Sequence, residues 1–286
     1  MAKISIVIPV YNEEKAVSLT ISKIKQAVKN LNHDLEIIAV NDCSKDKSGK
    51  ILDEIKDIKV IHHVRNKGYG SAVKTGIRQA KGDWILITDA DGTYPVEDIP
   101  KLLHYINKYD MVIGARIGKI VKIPFFRRPA KWFLNSLAGY LAESKIPDLN
   151  SGFRIFKKGI ALKYWTLFPD RFSFTSTITM ACLTNGYDLK YIPVNYYKRK
   201  GKSDIHPVKD FIGFNSLLIR LITYFRPIKV FMPVALSLFL VGLIKGVADF
   251  LGQGHIGSAA IIAVLTAIHI GFLGLIADLI IKRTQL

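Results

Sequence analysis

Cysteine, acidic residues and the common nucleotide-loop signatures are all scarce in this sequence. Its two cysteines, Cys43 and Cys182, lie far apart and form neither a CxxC pair nor a zinc-ligand spacing. That excludes a disulfide-framed domain and a structural zinc site, and both thiols are expected to be reduced in a cytosolic compartment. The glycine turn Asn66-Lys67-Gly68-Tyr69-Gly70-Ser71-Ala72 has no Gly-Lys-Ser/Thr ending and does not read GxGxxG, so it is neither a P-loop nor a dinucleotide fingerprint. No secretory leader is expected, because the first apolar run, residues 4–10, is too short and polar residues follow at once.

Asp and Glu number 23 against 41 Lys and Arg, a formal net charge of +18. Residues 229–286 carry Lys229, Lys245, Lys282 and Arg283 against Asp249 and Asp278, a net +2, which leaves +16 on residues 1–228. A basic first part points to an anionic partner such as nucleic acid, an acidic membrane surface or a phosphorylated substrate. A merely solvated basic surface accounts for it as well. Nucleic-acid binding has only the charge behind it, and none is expected.

Long apolar runs are plentiful at the C-terminal end. Residues 230–251 are apolar apart from Lys245 and Asp249, and residues 256–281 apart from His269 and Asp278. Each run is about 20 residues or more, roughly 30 Å as helix, which matches a bilayer's hydrocarbon core. With Gly252-Gln253-Gly254-His255 as a polar turn, the pair reads as a transmembrane helical hairpin, the alternative being a soluble helical core. Arg226 and Lys229 before it and Lys282 and Arg283 after it place both termini, and the catalytic part, in the cytoplasm. Lys245 and Asp249 stand one helical turn apart and can pair or snorkel.

Residues 207–225 set Phe211, Phe214, Leu218, Leu221, Ile222 and Phe225 at helical spacing, an expected membrane-surface helix. Residues 124–142 are a second candidate, with Pro129 suited to a helix start. Arg127, Arg128 and Lys131 cluster where a helix dipole disfavours cations, so they are expected to face a lipid headgroup or a substrate phosphate. An amphipathic core helix with solvated basic residues remains the alternative.

The first part alternates strand and helix. Strands are expected at 4–10, 35–41, 60–63, 84–88 and 111–114, and helices at 13–31, 48–55 and 71–80. That order predicts an α/β domain with a mostly parallel sheet, whose ligands sit outside the carboxyl ends of the strands. Three such ends deliver acids to one rim: Glu13, Asp42, and Asp89 with Asp91. Two carboxylates two residues apart at a strand exit can lean toward one Mg²⁺ or Mn²⁺, with Thr93 close enough to support them. A turn-forming Asp pair is the bland alternative. Glu13 and Asp42 are placed to hydrogen-bond a base and a ribose.

The ordered set Ile8-Pro9-Val10-Tyr11-Asn12-Glu13, Val40-Asn41-Asp42, Asn66-Lys67-Gly68, Asp89-Ala90-Asp91-Gly92-Thr93-Tyr94-Pro95, Gly114-Ala115-Arg116 and Asp148-Leu149-Asn150-Ser151-Gly152-Phe153-Arg154 resembles family 2 glycosyltransferases. With Arg199-Lys200-Gly201-Lys202-Ser203 and the hairpin, it is similar to their polyprenyl-phosphate branch. The resemblance implies a GT-A (Rossmann-like) catalytic domain over 1–206, an amphipathic interface helix over 207–228 and two transmembrane helices over 229–286. It implies that Pro9, Tyr11, Glu13, Val40 and Asp42, with Asp89, Ala90 and Asp91, hold the nucleotide. Asp89, Asp91 and Thr93 would hold the metal. Arg116, Arg128, Ser151, Arg154 and Lys202 would face the acceptor phosphate or lipid, with Arg116 and Arg199 serving the chemistry. Asp148 would orient Arg154 or a substrate hydroxyl. Two departures stand out: Thr93 where the family often has an amide, and Asp204 where the branch commonly has a lysine.

The implied partners are a nucleotide-sugar donor, a polyprenyl phosphate acceptor and membrane lipids, with a homo-oligomer left open. A phosphate monoester has a second pKa of about 6 and is already an oxyanion at neutral pH. Transfer to it therefore needs charge compensation more than a general base. Polysaccharide elongation and a non-catalytic carrier-binding protein are the competing readings.

Overall fold

A computed structural model describes residues 1–121, 128–170, 173–199, 217, 219–220 and 222–284, and for 128–130 and 284 the backbone alone. The chain forms two compact units, Met1–Gly213 and Phe214–Leu286.

In chain order the first unit contains β1 (Lys3–Val10), α1 (Val17–Val28), β2 (Asp34–Asn41), α2 (Ser48–Glu54), β3 (Lys59–His62), α3 (Tyr69–Gln79), β4 (Trp84–Ile87), α4 (Ile99–Leu103), β5 (Met111–Ala115), α5 (Arg128–Ala142), β6 (Arg154–Lys157), α6 (Lys158–Lys163), α7 (Phe174–Thr184) and β7 (Leu189–Pro193). The strands form one sheet in the order β3-β2-β1-β4-β6-β5-β7. All pairings are parallel except those of β6, which runs antiparallel to β4 and β5. The expected mostly parallel sheet is therefore present, with one reversed strand and β7 beyond it that patterning missed. Both are short, and β6 opens on an arginine.

β1 is buried along all but its first residue, as expected of a strand covered on both faces. Ile4, Ile6 and Ile8 pack in one core with Val17, Ile21 and Ile24 of α1. On the other face a Cβ at Gly76 would meet Val7 Cγ1 at 2.3 Å, so glycine lets α3 lie close against β1. Each fully buried aliphatic side chain contributes about 1.5–3 kcal/mol. α1 starts later than expected because the Glu13 carbonyl is taken by a turn, accepting from Ala16 N and Val17 N at 3.0 and 2.9 Å.

The second unit is a helical hairpin, α8 (Ile228–Gln253) and α9 (Ser258–Thr284). Gly254, at φ 74°, ends α8, and its N–H donates to Phe250 O. The spans have mean hydropathies of 2.2 and 2.4, with 17% of each window buried. A soluble core helix would be mostly buried; these present their apolar surface outward, as membrane helices do. Gly242 fits against Val264 and Ala263, and Gly274 against Phe231. Lys245 Nζ pairs with Asp249 Oδ1 at 2.6 Å, so these two charges of α8 neutralise each other. Most of the expected surface helix over 207–225 lies outside the described residues.

Candidate active site

The carboxyl ends of β1, β2, β4, β5 and β7 share one edge, and the loop entering the antiparallel β6 joins them there. Asn12 and Cys43, just past β1 and β2, have φ of 54° and 58°. The two loops are laced together: Asn12 N donates to Ser44 Oγ, Glu13 N to Ser48 Oγ, Glu14 N to Asp46 Oδ2, and Lys45 N to Asn12 Oδ1. Pro9 and Val40 are buried register partners one residue short of the strand ends. Tyr11 is 36% exposed at the rim.

Asp42 does not face this rim as a free ligand. Its Oδ1 accepts from Lys67 N at 2.8 Å and meets His63 Nδ1 at 2.7 Å, while Oδ2 accepts from Gly68 N at 2.7 Å. His63 Nε2 in turn meets Thr75 Oγ1 at 2.9 Å. Both oxygens hold the glycine turn, because buried partners lie within reach of each.

The acid rim consists of Glu13, Asp89 and Asp91. Asp91 Oδ1 accepts from Thr93 N and Thr93 Oγ1 at 3.0 and 2.7 Å. Thr93 is buried, and both its backbone N–H and its hydroxyl support Asp91. Asp89 Oδ1 is shut off from solvent and has no hydrogen-bond partner. A Cβ on Gly152 would stand 2.9 Å from both Asp89 carboxylate oxygens; this close approach is why that loop needs glycine. The Ala90 carbonyl accepts from Thr20 Oγ1. Arg199 reaches across from the segment after β7, with Nη2 bonded to Glu13 Oε1 and Nε 3.7 Å from Asp91 Oδ2. Burial pushes the Glu13 carboxyl up to about 7, against the pull of Arg199, and Asp91 adds to the rise. Burial also raises Asp89, and the neighbouring Asp91 carboxylate adds to it.

Across the edge lies a second cluster of opposite balance. Asp148 is fully buried. It accepts from Arg116 N, Nε and Nη2 at 2.9, 2.7 and 2.8 Å, and Lys131 Nζ of α5 lies 3.2 Å from its Oδ1. Burial opposes its charge, but the Arg116 hydrogen bonds and charge win and hold it well below the usual carboxylate range. The Arg116 guanidinium also lies over the Tyr196 ring, 5.2 Å from its centroid. Asn135 steadies the loop, donating to Pro147 O and accepting from Leu149 N.

Arg154 and Ser151 do not face an acceptor. Arg154 is fully buried, and its guanidinium donates to Ser151 O, Leu149 O, Thr175 O and Thr179 Oγ1. Ser151 Oγ donates to Gly114 O at 2.6 Å. Both hold the loop that carries Asp148, and Asp148 orients Arg116 rather than Arg154. The side chains of Arg128 and Lys202, and the residues Lys200–Lys209 with Asp204 among them, lie outside the described residues. Patterning missed Lys131 as Asp148's second partner. It also missed Tyr94, whose hydroxyl accepts from Gly152 N at 2.8 Å, although Tyr94 stands only three residues beyond Asp91.

A divalent cation fits the acid rim. The donors are hard carboxylate oxygens, one of them unpartnered and buried, and the guanidinium of Arg199 already stands against Glu13 and Asp91 as a cation does. No group of three or more His, Cys, Asp or Glu side chains forms an ion cage among the described residues, so substrate phosphates and water must complete such a site.

Sheet order, reversed strand and acid rim together define a GT-A glycosyltransferase fold. Residues 5–165 match the glycosyl transferase family 2 domain and residues 226–282 the GtrB C-terminal hairpin. The chain belongs to glycosyl transferase family 2. It is 36% identical over 169 residues to a dolichol-phosphate mannosyltransferase of Pyrococcus furiosus, covering 55% of this chain and 47% of that protein. It is 33% identical over 163 residues to an undecaprenyl-phosphate 4-deoxy-4-formamido-L-arabinose transferase of Proteus mirabilis, covering 55% and 50%. The chain thus spans about half the length of these curated relatives. Among solved structures, glucosyl-3-phosphoglycerate synthase from Mycobacterium tuberculosis, in complex with Mn²⁺, uridine-diphosphate and phosphoglyceric acid, has a TM-score of 0.61 at 15% identity, covering 78% of each chain. That likeness is one of fold.

Proposed function

We propose that the protein is a membrane-anchored, metal-dependent glycosyltransferase. It moves a hexose from a nucleotide sugar of the GDP-mannose or UDP-glucose type to a polyprenyl phosphate, dolichyl or undecaprenyl, with inversion at the sugar carbon. The observation that carries this reading is the state of Asp148. An acid locked by Arg116 and Lys131, and held well below the usual carboxylate range, is a poor general base. A hydroxyl acceptor would need such a base; a phosphate monoester does not. The same cluster sets two cations against one carboxylate, and the surplus charge suits an anionic acceptor.

Asp89 and Asp91 would hold Mg²⁺ or Mn²⁺, which supplies charge stabilisation to the leaving diphosphate. Tyr11 and Glu13 border the nucleoside end. Arg199 exchanges its carboxylate partners for the donor diphosphate. Arg116 and Lys131 draw in the acceptor, with Arg128 and Lys202 as further cations beside it. The names of the two curated relatives, each joining a sugar transferase to dolichol phosphate or undecaprenyl phosphate, support the acceptor class. The apolar hairpin supports a membrane anchor with both termini on the cytoplasmic side.

The test is an assay of the detergent-purified protein with radiolabelled nucleotide sugars, dolichyl or undecaprenyl phosphate, and Mn²⁺ or Mg²⁺. A lipid-linked monosaccharide of inverted configuration that disappears on chelation is expected. Polymer would instead establish elongation, absence of transfer would establish a carrier-binding protein, and a retained anomeric configuration would rule out single displacement.

A further inference from the structure

The helix α9 has two unlike sides. Ala260 and Ala267 are buried, and a Cβ at Gly274 would meet Phe231 Cβ at 2.7 Å, so that side packs against α8. His269 follows Ala267 by two residues, about 200° around the helix, and is exposed on the opposite side. It sits near the middle of the apolar span Ser258–Arg283, roughly 17 Å from one end and 21 Å from the other at about 1.5 Å per residue. In a hydrocarbon core about 30 Å thick, an imidazole at that depth reaches neither interface.

His269 Nδ1 lies 2.7 Å from Leu265 O. A carbonyl can only accept, so Nδ1 carries the proton and the neutral ring presents Nε2 as an acceptor. Among the described residues no donor meets that nitrogen. Polar side chains within a membrane face the interior of a helix bundle, yet this one faces away from its own hairpin. The side it stands on is patterned. Ile262, Thr266, His269, Leu273 and Ile276 are all exposed, at the alternating spacing of four and three that forms a seam between parallel helices. Thr266 lies one turn from His269, and its hydroxyl can donate.

We propose that this side of α9 packs on α9 of a second copy of the chain. Two hairpins inserted the same way pair about a two-fold axis along the membrane normal, and Thr266 of each copy donates to His269 Nε2 of the other. The two-fold makes the contact reciprocal, so one seam satisfies both imidazoles. Lipid could cover the apolar positions of the seam but offers no donor at the depth of His269. The inference rests on the reading of the hairpin as a membrane anchor and is independent of the sugar chemistry.

The test is self-association of the full chain in lipid bilayers, followed by single-molecule photobleaching as the protein is diluted in lipid. The parent should be a dimer, and His269→Leu and Thr266→Val should each weaken association by about 10-fold or more. Disulfide cross-linking gives a second measure, in a Cys43→Ser background with Cys182 buried. Leu273→Cys on the seam should cross-link between copies. Leu236→Cys, exposed on α8 next to the Ala235 that meets Gly271 and so at similar depth, should not. A monomeric parent overturns the proposal, as does parent-like association of His269→Leu or cross-linking at Leu236 in place of Leu273. If His269→Leu fails to insert, the cross-links decide alone. A parent that stays dissolved without detergent or lipid removes the membrane anchor and this inference together, whereas a monomer held in the bilayer removes this inference only.

Discussion

The two charge clusters at the sheet edge are built from the same parts and reach opposite states. At the β1/β4 end, Glu13 and Asp91 share one guanidinium from Arg199, and Asp89 lies buried beside Asp91. At the β5/β6 end, one carboxylate, Asp148, is held by a guanidinium and an ammonium. The first cluster is short of positive charge, and Glu13 and Asp89 hold protons more tightly than usual. The second is saturated, and its acid gives up its proton far more readily than usual. A strand-end acid is thus a cation site or a structural counter-ion according to how many cations the rest of the fold brings to it.

The sharpest way to break this comparison is to remove the charge from each side. Asp148→Asn leaves the partly buried Arg116 and Lys131 without their counter-ion. It should destabilise the first unit by about 3–5 kcal/mol, read as a lowered melting temperature; parent-like stability would mean that Asp148 is no counter-ion. Asp91→Asn should do the reverse. It relieves repulsion among the rim acids, so the metal-free protein should melt no lower, while metal-dependent turnover falls on the order of 10²–10³-fold. Near-normal metal-dependent turnover in that variant would remove the central assignment.

The pH dependence sharpens the same contrast. Glu13 in the folded, metal-free protein is raised to about 7 from an ordinary 4.5 by burial. A carboxyl raised in this way stabilises the fold below its ordinary value, and that contribution is lost as the pH rises through about 7. Asp148 runs the other way, stabilising above its ordinary value and losing that contribution as the pH falls toward its depressed one. In chelator, Glu13→Gln should therefore gain melting temperature relative to the parent between pH 5 and pH 8. An unchanging difference would show that Glu13 titrates as a solvated acid. The smallest effect belongs to Thr93→Val, which removes the hydroxyl donor to Asp91 Oδ1 but keeps the backbone N–H bond. It should destabilise by about 0.5–1.5 kcal/mol and raise the KM for the metal a few-fold; a complete loss of metal binding would restore Thr93 as a ligand.

The long apolar strands and the hairpin were legible because their pattern is local. So was the Asp89/Asp91 pair, whose spacing places both acids at the end of β4 whatever lies around them. Partners were not legible. Arg199 reaches Glu13 from 186 residues away and Arg116 reaches Asp148 from 32. Nothing near Arg154 or Ser151 in sequence announces that both turn inward to hold the Asp148 loop. β6 escaped notice because four residues beginning with arginine carry too little periodicity, and its reversal follows from the sheet.

By itself, the order of residues determined the α/β pattern, the acids at the strand ends, the family motifs and two helices apolar enough for a bilayer. These are properties of short segments, set by side-chain period and transfer free energy. The tertiary structure decided which charges meet. It tied Asp42 to the glycine turn, made Asp148 the counter-ion of Arg116 and Lys131, and brought Arg199 against Glu13 and Asp91. Such assignments depend on burial and on distances of a few ångströms between residues far apart in the chain, where the strength of each charge is set by what surrounds it.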